Sequence, residues 1–306
     1  MNYRKNKIER LARVARLYYE EDRTQNEIAE TMEVSRPLVS RMLREARDLG
    51  IVEIRVHAPE CDTNTLISRL CQRYNLQGVE IIPDQENSSL TDHVLVKHLL
   101  QLIEQEQPHT LGIGWGPIIG SLSGTLERTP AADTGVQIVC PLIGNSAAAS
   151  RQFHTDENVR IIANALHAQP KFLYAPAFSA NSVEHTLLCG TSHYRTIAAY
   201  WEELDMALID IHNASDSEEI TFPLAPNEQL AGHMLAYPFD QNGRILRSGT
   251  DHTLHIPLET LTRCRTVVGL CSSNVSPHTL SAALHTGILT HLFVRSSIID
   301  SVLADT

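Results

Sequence analysis

An α/β architecture is predicted for this chain of 306 residues: a small winged helix-turn-helix domain, then a large doubly wound α/β domain. Three observations carry the prediction. Three short amphipathic helical patterns fill residues 1–56. Apolar, strand-like runs then alternate with amphipathic helices through residues 57–306. The net charge of −11 is also unevenly divided: residues 1–56 hold 12 Lys or Arg against 10 Asp or Glu, the remainder 13 against 26. An acidic protein can still grip DNA when its positive charge collects on one surface, because phosphate neutralisation is local.

In the first domain, Ile8, Leu11, Val14, Ala15 and Tyr18 recur at helical spacing and predict one amphipathic helix. Thr24 is placed to cap a second, with Glu27 as its capping-box partner, and that helix buries Ile28, Ala29 and Met32. Ser35 then caps a third helix with Pro37 in its first turn; Leu38, Val39, Met42, Leu43 and Ala46 form its buried face and Gly50 ends it. This is helix-turn-helix spacing. Ser35, Arg36, Ser40, Arg41 and Arg44 are left facing outward, and arginine pairs bidentately with guanine edges or phosphates in a major groove. Thr24 and Gln25 suit phosphate contacts at the start of the second helix. Glu33 stands where a turn glycine is common. "IVEIRV" (51–56) alternates like a short strand and is expected to form a wing. Two-fold related helices of this kind predict a palindromic DNA site.

The second domain reads as strands at 79–83, 110–115, 136–144, 171–176, 206–211, 266–272 and 291–294, with helices such as 90–106 and 155–168 between them. Near-continuous apolar strands separated by helices argue for a parallel sheet covered on both faces. Ligands of such folds bind beyond the carboxyl ends of the strands. Three loops therefore become candidates: Gly114, Trp115, Gly116 and Pro117 in "GIGWGP"; Gly144, Asn145 and Ser146 in "IGNSAAAS"; and Ser273 and Asn274 in "SSN". The polar stretch 212–233 reads as a lid or an interface.

The pattern "LTQxEIAxxLxVSRPxVSRLLxxAxxxGIVxI" of the SorC family of bacterial sugar-responsive transcriptional regulators resembles residues 24–54, from Thr24 and Gln25 through Ser35, Arg36, Pro37, Ser40 and Arg41 to Ile54. The resemblance implies a DNA-binding domain on an effector domain similar to sugar-phosphate isomerase and deaminase folds, assembled as a tetramer. "GIGWG", "APAF" (175–178, ending at Phe178) and "AYPFDQNGRIL" (236–246, containing Asp240) resemble further family segments. Four positions depart from it. Ile118 replaces a threonine or serine; His233 stands for an effector-contacting acid; Ser276 stands for a phosphate-binding lysine; and Val294-Arg295-Ser296 replaces T-D-E. These departures point to a small carbohydrate effector without a phosphate: a sugar, polyol or sugar acid. The alternative is that Arg295, or Arg151 with His154, restores the lost charge.

An enzyme is the rival reading, with Asp240, His233 and His154 as the nominated acid and base groups, but no motif arranges them. "HTLH" (252–255) invites a metal, yet its spacing on an extended segment does not put both rings on one face, so neither metal nor cofactor is expected. No apolar run follows the basic start "MNYRKNKIER", and none approaches the roughly 18 residues of a membrane span. Six cysteines without CxxC spacing read as reduced thiols, and the expected compartment is the cytoplasm.

Overall fold

The computed structural model describes residues 2–21, 23–52, 60–84, 88–129, 134–147, 150–219, 228–246 and 252–304. The chain forms two compact units, Met1–Cys61 and Asp62–Thr306. The expected domain boundary after residue 56, and residues 53–56 of the expected wing, lie outside the described residues.

The first unit contains α1 (Asn2–Tyr19), α2 (Gln25–Thr31) and α3 (Arg36–Asp48). Its core joins Leu11, Val14, Ala15 and Leu17 of α1 to Ile28 and Ala29 of α2 and to Val39, Met42, Leu43 and Ala46 of α3. Two residues assigned to that core from periodicity are not in it: Ile8 is 49% exposed and Leu38 is 38% exposed. Both sit at the margin of their stripe, where a helix turns the side chain away from its neighbours. The capping box forms as expected, with Thr24 N–H donating to Glu27 Oε2 at 2.8 Å and Glu27 N–H to Thr24 Oγ1 at 3.3 Å. Ser35 holds the cap position of α3 by its backbone alone, without a side-chain capping bond. The turn between α2 and α3 puts Glu33 at φ 53°, so a non-glycine residue takes the left-handed conformation there. Gly50, at φ 68°, closes α3 by donating to the Arg47 carbonyl.

From Asp62 on, the second unit takes in the rest of α4 (Glu60–Tyr74), then β1 (Gly78–Ile82), α5 (Ser88–Glu106), β2 (Thr110–Ile113), α6 (Pro117–Leu126), β3 (Ile138–Pro141), α7 (Thr155–Ala165) and β4 (Gln169–Pro170). It continues with α8 (Ser182–Cys189), α9 (Ser192–Glu202), β5 (Met206–Asn213), β6 (Gly232–Met234), β7 (Tyr237–Phe239), α10 (Leu258–Leu261), β8 (Thr266–Cys271), α11 (Pro277–His285), β9 (His291–Arg295) and α12 (Ser296–Ala304). The parallel strands run in the order β1-β9-β8-β5-β2-β3-β4, and β6 and β7 extend β5 as an antiparallel hairpin. Alternate residues of each strand feed two cores. Met206 and Leu208 face the helices α5, α6 and α7, while Ala207, Ile209 and Ile211 face the opposite layer with Trp201, Leu280 and Ile298. The sheet is therefore covered on both sides, as its apolar strands require. Among the described residues no helix is long and apolar enough to cross a membrane.

Two expected elements are corrected. The run 171–176 is not a strand; β4 is the two residues before it, paired with β3. Tyr174 turns to φ 52°, and the N–H groups of Leu173 and Tyr174 donate to the Asp156 carboxylate at 3.1 Å each, which takes them out of any ladder. The segment 212–233 is not wholly a polar insertion either, since its last residues begin the hairpin that pairs with the end of β5.

Candidate functional site

In the helical unit, the buried stripe of α3 fixes which residues face out. Arg36, Pro37, Arg41 and Arg44 are exposed, and Ser40 is half-buried beside them. Ser35 is exposed with its hydroxyl outside any capping bond. The exposed Thr24 hydroxyl donates to Glu27 Oε2 at 2.9 Å as part of the capping box. Those bonds hold the Glu27 carboxyl below its usual range. A groove of ≈ 560 Å³ lined by Tyr18, Tyr19, Arg23, Thr24, Gln25, Asn26 and Arg36 runs alongside.

In the second unit, the chain leaves β2 toward β3 and β4, and leaves β5 toward β8 and β9. The switch point therefore lies between β2 and β5, and the loops after them, with the one after β8, meet at the same edge. Gly114 donates its N–H to Leu208 O at 2.9 Å, tying the first loop to β5. Gly116 caps α6 and Pro117 opens it. The Trp115 ring is fully buried, edge-on to Phe153 and tilted against the half-exposed Phe178. At the end of β8, Asn213 reaches across from β5 and bonds Asn274 O (2.9 Å) and Ser276 N–H (2.9 Å). Ser273 and Asn274 are exposed, while the Ser276 hydroxyl caps α11 through Thr279 N–H at 3.0 Å.

Several expected effector residues have structural partners instead. Asn145 exchanges two hydrogen bonds with Asp156, at 2.8 and 3.0 Å, and the Gly144 and Ser146 N–H groups donate to Leu254 O and Phe153 O. Asp240 Oδ1 accepts from the N–H groups of Asn242 and Arg244 and so closes a turn. His154 stands at the cap position of α7 without a side-chain capping bond. Of the HTLH pair, His255 donates to Ile256 O at 2.7 Å, and among the described residues no cluster of three or more His, Cys, Asp or Glu is set to hold a metal.

Two residues to which the sequence reading gave no role, Asp210 inside the run 206–211 and His212 at the start of the polar stretch 212–233, are both buried in β5. Asp210 and His212 lie on one face of β5, where they are 2% and 6% exposed. Asp210 Oδ2 accepts the Ile118 N–H of α6 at 2.9 Å, while His212 stacks on His233 with ring centroids 4.7 Å apart. His233 in turn donates from Nδ1 to Leu235 O at 3.1 Å. The available signal was an acid and an imidazole in an otherwise apolar strand.

Burial sets the charge here. It pushes the Asp210 carboxyl up to about 8. It pushes His212 down to about 4, and burial together with His212 pushes His233 down to about 3. The Cys271 thiol nearby is pushed up by burial and by Asp210, so it stays protonated. From about pH 4 to 8 native Asp210 holds a proton that the unfolded chain has lost, so its contribution falls as pH rises. Below about pH 6.5 the unfolded histidines bind protons that the native pair refuses, so theirs falls as pH drops. Stability is thus expected to peak near pH 6.5. Toward pH 8 it loses about 2 kcal/mol, or roughly 4–8 °C in melting midpoint. Asp210→Asn should flatten the alkaline limb; a thermal melt series that declines equally in that variant contradicts the assignment.

Residues 60–304 match the sugar-binding domain family, and residues 9–48 match sigma-70 region 4. The chain is 27% identical over 300 residues to the Sorbitol operon regulator of Klebsiella pneumoniae, covering 91% of this chain and 92% of that protein. It is 27% identical over 264 residues to the Deoxyribonucleoside regulator of Bacillus subtilis (strain 168), covering 81% and 82%. The fold is similar to that of the full-length sorbitol operon regulator SorC from Klebsiella pneumoniae, with a TM-score of 0.74 at 22% identity over 97% of this chain and 98% of that one. These relatives are named regulators, which sets the isomerase-like enzyme reading aside. With a sugar-binding domain matched across most of its length and a helix-turn-helix before it, the chain belongs to the SorC family of transcriptional regulators.

Proposed function

We propose that this regulator acts in the cytoplasm on a carbohydrate-utilisation operon, gripping a palindromic operator as a homo-oligomer, a tetramer by family resemblance, and answering to an unphosphorylated sugar, polyol or sugar acid. The DNA-binding domain is residues 1–56 and the effector and oligomerisation domain residues 57–306. Arg36, Ser40, Arg41 and Arg44 read base edges and phosphates, with Ser35, Pro37 and Gln25 at the rim of that surface. The effector sits at the switch point, bounded by Gly114–Pro117, Phe178, His233 and the 272–276 loop.

The observation that supports the operator surface is the division of α3, with Val39, Met42, Leu43 and Ala46 buried and Arg36, Arg41 and Arg44 exposed. For the effector, His233 is buried where an acid is usual in the family, and Ser276 caps a helix where a lysine is usual. Arg295, at the end of β9, is the charge that could serve a phosphate instead; it lies near enough to Asp84 and Cys271 to favour their anions.

Sugars and polyols, each beside its phosphate, should be tested for release or tightening of an operator fragment in a fluorescence anisotropy titration, since an effector must discriminate between the two states to shift them. Binding at about a hundred times the dissociation constant also stabilises by roughly 2.7 kcal/mol, visible as a midpoint shift. Neutral members alone acting supports the proposal. Phosphates alone acting refutes the unphosphorylated effector and makes Arg295→Ala the next variant.

A further inference from the structure

Beyond the effector reading, on which this inference rests, the residues that select the ligand can be assigned. Among the described residues, few fully buried side-chain polar atoms find no hydrogen-bond partner, and three of those atoms are Trp115 Nε1, Asp210 Oδ1 and His212 Nε2. All three belong to the ends of β2 and β5, at the switch point. A polar atom left unpaired in the interior costs free energy, so each of these atoms calls for a missing partner.

The chemistry of that partner is constrained. Trp115 Nε1 can only donate. His212 is neutral and hydrogen-bonded to the Trp115 backbone, which leaves Nε2 as an acceptor. The partner must therefore both accept and donate, as hydroxyl groups do. A phosphate would offer acceptors almost alone. The amino end of α6, the natural seat for an anion in such a sheet, is already filled by the protein's own carboxyl, with Asp210 Oδ2 on Ile118 N–H at 2.9 Å. Asp210 also lies against Gly116, with its Cγ 2.7 Å from where a Cβ would stand, so its carboxyl is packed onto the residue that caps α6.

We infer that Asp210, His212 and Trp115 form a hydroxyl-recognition set, with Asp210 standing in the anion seat of α6, so that this regulator binds an uncharged polyol or sugar and rejects its phosphate. Asp210 is the specificity determinant, and His212 and Trp115 hold the hydroxyls.

The test is isothermal titration of the full chain with sorbitol, mannitol, xylitol and fructose, and with the 6-phosphates of the three hexose derivatives. Wild type should bind at least one neutral compound and none of the phosphates. Trp115→Phe and His212→Gln should each weaken the neutral compound about tenfold or more, because a buried site built for hydroxyls loses its pairing. Asp210→Ala should gain binding of a hexose 6-phosphate, a gain that loss of packing cannot produce. Unchanged neutral affinity in both the Trp115 and His212 variants overturns the inference. Binding of phosphates alone by wild type also overturns it while leaving a carbohydrate effector in place. If neither class binds although the protein still holds operator DNA, the inference and the effector reading fall together.

Discussion

Arg36→Ala/Arg41→Ala/Arg44→Ala should lower operator affinity by on the order of a thousandfold while leaving the helical unit folded. The three side chains are exposed and contribute nothing to the core of Leu11, Ile28, Val39 and Ala46, so the melting transition should barely move. A base-edge pairing is worth about 1–3 kcal/mol. A phosphate contact contributes mainly through counterion release, at roughly one unit of the salt slope each. Single variants separate the roles. A variant that loses affinity equally on operator and random DNA, with a shallower salt dependence, has lost a phosphate contact; one that relaxes the choice of a single base has lost a base contact. Wild-type affinity in the triple variant would remove α3 as the reading helix.

Gly116→Ala should be among the most damaging single substitutions in the second unit, at about 3–5 kcal/mol. The backbone there is at φ 132° and ψ 172°, a region that side chains rarely enter and that costs about 1–3 kcal/mol. A Cβ would also meet Asp210, 2.7 Å from its Cγ and 2.8 Å from its Cβ, and forced overpacking of this kind adds about 1–3 kcal/mol. The melting midpoint should fall by roughly 10 °C. Adding Asp210→Gly removes every Asp210 atom that the methyl group would meet but not the backbone strain, so, measured against Asp210→Gly alone, Gly116→Ala should then cost about half as much. No remaining cost would mean the conformation carries no strain; an undiminished cost would mean Asp210 is not what the methyl group meets.

Much of this molecule was legible along the chain because the signals are local. The stripe Val39, Met42, Leu43 and Ala46 repeats at the period of a helix, and the outward arginines follow from it. Thr24 and Glu27 satisfy each other across three residues, so their capping box could be read from spacing. Periodicity erred at the margins, at Ile8 and Leu38, where stripe membership depends on how far the neighbouring helices reach. It also erred at 171–176, where a carboxylate from α7 captured two N–H groups of an otherwise strand-like run.

The effector site divides in the same way. Its loops could be named because glycines and polar residues follow apolar strands. Asn145 and Asp240 looked equally available in the sequence, and only their partners, Asp156 and the 242–244 turn, show them to be engaged. The hairpin of β6 and β7 has strands of three residues each, too short for any alternation to register. Yet that hairpin lays His233 over His212. Composition and period were enough to specify a helix-turn-helix followed by a parallel α/β domain, because both arise from contacts near in sequence. Which polar side chains are left unsatisfied at the switch point was decided by the pairing of β5 with β2, nearly a hundred residues away in sequence. Hydrogen-bond satisfaction is a property of neighbours in space, and those neighbours exist only once the sheet has closed.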